Sequence, residues 1–350
     1  MRNTKIRVGI THGDINSISY EVIIKALLDN RIFDACIPIV YGSPKVAAYH
    51  RKALNIDNFS FNTIKSPEEA NPKRANLINC ISDSVRVELG KSTPMAGEAS
   101  YKSLDTAVKD LENNKIDVIV TGPINKYNIQ SEKFSFAGHT EFFESRFRSD
   151  GVLMLMVHEL FKVGVLTGHV PLTRVAEYVT KDNILNKLHI LNKSLIVDFL
   201  IRKPRIAVLG LNPHAGDNGL TGDEEIKEII PALKAARDEN INAFGPFSAD
   251  GFFGSDTFRK FDAVIAMYHD QGLIPFKAMM YEGGVNFTAG LPIVRTSPAH
   301  GTAYEIAGKG EAHPHSFRKA IYLACDIYHN RQTYKEITSN PLKSHDLPET

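Results

Sequence analysis

Three times along the chain an apolar run of strand length delivers a histidine: Val163-Gly-Val-Leu-Thr-Gly-His169, Ile206-Ala-Val-Leu-Gly-Leu-Asn-Pro-His214 and Phe261-Asp-Ala-Val-Ile-Ala-Met-Tyr-His269. A buried-looking strand followed at its carboxyl end by ionisable side chains is how open α/β sheets build ligand sites. The third run continues into Asp270-Gln271-Gly272, and the glycine is expected to release the chain there. Alternating apolar residues predict further strands over 5–11, 37–41, 116–120 and 152–157, while helical periodicity marks 20–28, 44–54, 98–111, 182–201, 224–238 and a last helix from about 316. Such βα alternation predicts an α/β fold with a parallel or mostly parallel doubly wound sheet. The segment 245–254 reads as a glycine-rich loop carrying one carboxylate, Asp250, and the polar tail past 341 as a frayed end.

Composition narrows the class of partner. With 41 Lys and Arg against 40 Asp and Glu, no net field would collect nucleic acid or an anionic membrane, so the ligand should be small. At 350 residues and 43% hydrophobic content the chain is expected to form two domains. Cys36, Cys80 and Cys325 are an odd, scattered set and read as reduced thiols. No membrane-length apolar run or secretion signal is visible, and a cytoplasmic protein is expected.

Three residue sets carry chemistry. His169, His214 and His269 match the three protein ligands of a catalytic zinc site, with Asp217 and Asp270 as acceptors that would orient the rings. Their spacing is too long for a local metal motif, and a strand-end histidine taken alone is more often a satisfied structural or substrate-binding side chain. A second set suits a small phosphorylated acid. Gly138, His139 and Thr140 sit in a turn at a helix start, where backbone N–H groups hold anions, and Lys277, Asn286 and Arg295 add charge and amide groups. The third is the loop of small residues 297–310, in which His300 offers a flat face to an adenine. No G-x-G-x-x-G follows the first strand, so a standard Rossmann cofactor loop is absent there.

Taken together, GHTEFF at 138–143, LNPHAGDNG at 211–219, AMYHDQGL at 266–273, GVNFTAGLPIVRTS at 284–297 and HGTAYEIAGKG at 300–310 closely resemble the 4-hydroxythreonine-4-phosphate dehydrogenase family of vitamin B6 biosynthesis, from about Lys5 to Tyr328. The resemblance implies two α/β/α domains of the isocitrate/isopropylmalate dehydrogenase type with a ligand cleft between them: 1–125 plus 290–350, and 126–289. It implies one divalent metal per subunit on His169, His214 and His269, at a homodimer interface with ligands from both subunits. Zinc suits three imidazoles, and magnesium or cobalt would serve if the substrate adds oxygen ligands. Substrate would meet His139, Thr140, Lys277, Asn286, Arg295 and Asp250. NAD or NADP would lie near His300, Gly301, Thr302, Gly308, Lys309 and Gly310. The implied chemistry is metal-assisted oxidation of 4-phosphooxy-L-threonine at C3 and decarboxylation to 3-amino-2-oxopropyl phosphate, with Lys277, then Asp270, as candidates for proton transfer.

Two departures stand out. Where the family has a proline- and glycine-rich turn after the first strand, this chain has Asp14-Ile-Asn-Ser-Ile-Ser-Tyr-Glu21, and Gly168 replaces a common threonine. Two competing readings share the same residues: a paralogous dehydrogenase of a 4-phosphorylated threonate or erythronate, and a metal-dependent sugar-phosphate sensor without catalysis.

Overall fold

The computed structural model describes residues 5–279 and 283–340. Its twelve strands are β1 Ile6–Thr11, β2 Cys36–Gly42, β3 Asn62–Ile64, β4 Asn76–Asn79, β5 Val118–Thr121, β6 Leu153–Val157, β7 Lys162–Thr167, β8 Ile206–Leu209, β9 Ala243–Phe247, β10 Ala263–Tyr268, β11 Val285–Ala289 and β12 Arg295–Pro298. They join in one sheet, ordered β3-β4-β2-β1-β5-β12-β11-β6-β7-β10-β8-β9. The first six in that order are mutually parallel, as are the last four. Between these blocks β12, β11, β6 and β7 pair antiparallel. Three reversals in a row make the two blocks run in opposite directions, which a purely parallel doubly wound sheet would not do.

The antiparallel centre gives the sheet two different faces, because side chains alternate along a strand. On one face Leu153, Leu155 and Val157 of β6 and Val285, Phe287 and Ala289 of β11 enter the largest apolar core, beneath the 24-residue helix His315–Thr338. The other face presents Met154, Met156, Asn286, Thr288 and Arg295. A polar stripe in the middle of a sheet this large is the first structural mark of a site.

Several sequence expectations are corrected. Pro94, which reads as a breaker, is the first residue of helix Pro94–Glu112, with Thr93 accepting from Ala96 N. The helix from Lys181 ends at Val197 rather than 201. Segment 245–254 is not a loop: it is divided between β9 and helix Ala249–Phe253. Gly272 does not release the chain but lies inside helix His269–Met279, where a Cβ would stand 2.7 Å from Val163 and 3.0 Å from Ala266. The glycine is there so that the helix can press on the sheet. The tail past 341 lies outside the described residues.

After β1, His12 stacks on Tyr20 with ring centroids 5.4 Å apart, and Tyr20 on His50 at 5.1 Å. All three are buried, and burial pulls both imidazoles from 6.5 to about 4. The unfolded chain therefore takes up these protons at higher pH than the folded one, so stability is full above pH 6.5 and lost as pH falls toward 4. Denaturant midpoints should fall across that window, and less steeply in His50→Gln; a flat profile would contradict the burial account. Phe287→Ala, in the central strand, should cost about 3–5 kcal/mol in the same assay.

Candidate functional site

A cavity of about 350 Å³ lies over the polar face of the antiparallel centre. Its floor is Met154, Met156, Asn286, Arg295 and Ser297; its walls come from the turn after β5 (Gly122 to Lys126), the helix start Gly138 to Glu141, the strand-end residues His169 and His269, and Leu273, Lys277, His300 and Gly301. Of the expected metal, substrate and proton-transfer residues, seven converge here without Asp250, Asp270 or His214: His139, Thr140, Lys277, Asn286, Arg295, His169 and His269.

One end is built for an anion. Arg295 is 2% exposed, and its hydrogen bonds all go to threonine hydroxyls, at 2.7 and 3.2 Å to Thr121 and 3.1 Å to Thr288. Those partners supply no counter-charge. Burial draws the guanidinium down from its ordinary value to about 9, opposed by the Glu141 charge, so it is still charged at neutral pH, and its Cζ lies 5.8 Å from the Phe143 ring centroid. Beside it His139 Nε2 is buried without a partner. Burial, then the charges of Arg295 and Lys126, hold that imidazole well below its ordinary value, so it is neutral. His139 and Thr140 open helix His139–Phe147, whose first-turn N–H groups have no helical acceptor. Asn286 Oδ1, Glu141 Oε2 and His300 Nε2 are also buried and unpartnered. Buried polar atoms are normally satisfied, so four orphans around one cavity mark a ligand's place.

The other end carries imidazoles. The His169 and His269 rings are 5.9 Å apart, and His269 Nδ1 is 2.7 Å from Asp270 Oδ1. That contact leaves Nε2 free to bind a cation, the arrangement metal-ligating histidines favour. His169 Nε2 is 2.7 Å from Lys126 Nζ. Burial first, then Lys126, lowers the pKa of His169. His214 does not join them in its own chain. It is exposed, on a loop whose residues from His214 to Asn218 all have positive φ. Asp250 lies near it, exposed and accepting from the Ser248 hydroxyl. Asp217 is likewise exposed. Among the described residues no group of three or more His, Cys, Asp or Glu is gathered closely enough to hold a metal. One chain thus offers two of three imidazoles, and a three-histidine site fits only if another copy brings the third.

Of the expected cofactor residues, His300 and Gly301 line the cavity, whereas Thr302, Gly308, Lys309 and Gly310 do not; Thr302 O and Gly310 O are met instead by the first turn and the helix it leads into. That turn, whose role the sequence left open, holds the loop. Ile18 N donates to Thr302 O, Lys25 Nζ to Gly310 O and Ala312 O, and Ala312 N to Glu21 Oε1. Fully buried Asp14 accepts from Asn16 N, Asn128 Nδ2 and the Tyr304 hydroxyl at 2.8, 2.8 and 2.7 Å. Asp14, Tyr304, Lys126 and Glu141 were missed by sequence reasoning. Lys126 was within reach of it, standing at the end of the strand-end turn 121–126. Asp14→Ala leaves three donors unsatisfied and should lower stability by at least about 2 kcal/mol. Tyr304→Phe should cost less, and equal denaturant midpoints for all three chains would contradict the buttress.

Residues 34–324 match the model of the family described as pyridoxal phosphate biosynthetic protein PdxA. A protein of Bacteroides thetaiotaomicron named 4-hydroxythreonine-4-phosphate dehydrogenase is 52% identical over 344 residues, 98% of this chain and 94% of that one. One of Oceanobacillus iheyensis, provisionally named a D-threonate 4-phosphate dehydrogenase, is 36% identical over 324 residues, 91% of this chain and 97% of the other. The crystal structure of 4-hydroxythreonine-4-phosphate dehydrogenase from Klebsiella pneumoniae superposes with a TM-score of 0.82 at 32% identity, covering 94% of this chain and 99% of that one. With an anion end, an imidazole end and this likeness along almost its whole length, the chain belongs to the PdxA family of pyridoxal phosphate biosynthetic proteins.

Proposed function

We propose that this chain is a 4-hydroxythreonine-4-phosphate dehydrogenase, oxidising 4-phosphooxy-L-threonine at C3 with NAD or NADP to 2-amino-3-oxo-4-phosphooxybutanoate, which decarboxylates to 3-amino-2-oxopropyl phosphate. The observation that carries this reading is the buried Arg295 charge, bonded only to hydroxyls, set across one cavity from the His169 and His269 pair. The residues fit a divalent metal, zinc before magnesium or cobalt by donor type. His169 and His269 of one chain and His214 of a second would hold it. A metal held there would supply Lewis-acid chemistry, lowering the pKa of the substrate hydroxyl and favouring decarboxylation, and a bound nicotinamide would serve as hydride acceptor.

The chain's own residues bind and orient. Arg295, His139 and Thr140 receive anionic groups of the substrate, and Asn286 fixes the chain between them. Asp270 holds the His269 ring through Nδ1, so its part is orientation. Lys277, at the open rim, is the group for proton transfer. The cavity walls support a division into 1–125 plus 290–350 and 126–289: Gly122, Pro123, Ile124 and Arg295 to Gly301 lie in the first part, Lys126 and the remaining lining residues in the second. His300 and Gly301 would meet the cofactor. No helix among the described residues is long and apolar enough to cross a membrane. A homodimer is supported by large apolar side chains left exposed near the imidazoles: Ile274 at 65%, one turn past Asp270, and Leu220 at 81%, just after the His214 loop.

His214→Ala and His269→Ala should each abolish nicotinamide reduction with the fold retained. Mixed and refolded together they should regain part of the activity, since a hybrid dimer has one site with every imidazole intact. Failure to recover would contradict sharing between subunits. Chelation should abolish turnover of the wild type and added zinc should restore it; full activity in metal-stripped buffer would sink the metal reading. Tight NAD binding without turnover would favour a sensor.

A further inference from the structure

Within the cavity, Glu141 is the single carboxylate among the lining residues. The fixed cations there are Lys126, Lys277 and Arg295. Burial keeps His139 and His300 toward neutrality. Among the lysine, arginine and glutamate side chains of the lining, three are positive and one is negative. The proposed substrate carries the complement: a phosphate of nearly two negative charges, a carboxylate, and one ammonium on C2.

Glu141 is not consumed by the protein. Its Oε2 is buried with no hydrogen-bond partner, although Lys126 and Arg295 lie near enough to feel its charge. It stands on the third residue of helix His139–Phe147, a position whose side chain often folds back to cap the helix start. Here Oε2 makes no such bond. Gly138 leaves the room it occupies: a Cβ there would lie 3.3 Å from Glu141 Oε2 and 3.5 Å from Lys126 Cε. A carboxylate oxygen held dry and unpaired is costly unless a ligand donor meets it.

We propose that Glu141 is the specificity-determining residue that reads the substituent on C2, accepting hydrogen bonds from the substrate ammonium. The assignment rests on the amino-acid substrate proposed above and extends it. A 4-phosphorylated threonate has the same phosphate and carboxylate but a hydroxyl on C2. It leaves Glu141 without a cationic partner and facing a more negative ligand, so Glu141 both attracts one substrate and repels the other.

The test is steady-state kinetics of wild type and Glu141→Gln on 4-phosphooxy-L-threonine and on threonate 4-phosphate. Glu141→Gln should lower kcat/KM for the amino acid about 10- to 100-fold, the range of a charge-assisted hydrogen bond. It should raise kcat/KM for the threonate, inverting or collapsing the ratio. Titration with inorganic phosphate, expected to bind the variant no more weakly than the wild type, separates this from a damaged pocket. An equal fall for both substrates, or an unchanged ratio, overturns the role of Glu141 whichever substrate the wild type prefers. Wild-type preference for the threonate overturns the substrate reading instead.

Discussion

The site depends on a guanidinium that is almost wholly withdrawn from water. Arg295 projects from β12 into the centre of a twelve-stranded sheet, held by the hydroxyls of Thr121 on β5 and Thr288 on β11. Three neighbouring strands thus fix one charge without neutralising it. Burying an ion is costly unless it is paired, and the surroundings compound the cost: Phe143 covers the guanidinium plane, and His139 beside it stays neutral. A dianion entering this cavity finds donors already aimed and little reorganisation left to do, which is how a preorganised site favours charge.

The antiparallel centre is what makes such a placement available. In an all-parallel sheet both faces are covered by helices and strands are apolar throughout. Reversing direction at β11, β6 and β7 leaves one face of the middle strands open to a cavity, while their other side chains keep the main core intact. Loops from both parallel blocks then fold over that face, one bringing Lys126 and His300, the other His169, His269 and Lys277. Site and core are two sides of the same residues.

Much of this was legible in the sequence. The strand-end histidines at 169 and 269, the GHTE turn and the positions of Asn286 and Arg295 all reached one cavity, because strand-to-loop junctions are local features that apolar periodicity locates well. Three things were not legible. The reversed centre depends on which strands pair, and β11 lies next to β6 across more than a hundred residues of chain. Glu141 matters through an unpaired buried atom, which no spacing reveals. The turn Asp14 to Glu21 looked like a loss of glycine and proline. It proved to be an exchange of backbone flexibility for side-chain hydrogen bonds, with Asp14, Glu21 and Lys25 gripping the 302–312 segment.

The central claim is that Arg295 is a buried charge with no ion-pair contact of its own, kept for an anion. Thermal unfolding of wild type and Arg295→Gln with and without inorganic phosphate tests it most directly, since a ligand stabilises only the state that binds it. Phosphate should raise the midpoint of the wild type and leave the variant unmoved, and without phosphate the variant should be as stable as the wild type or more so. Equal phosphate stabilisation of both chains would contradict the account.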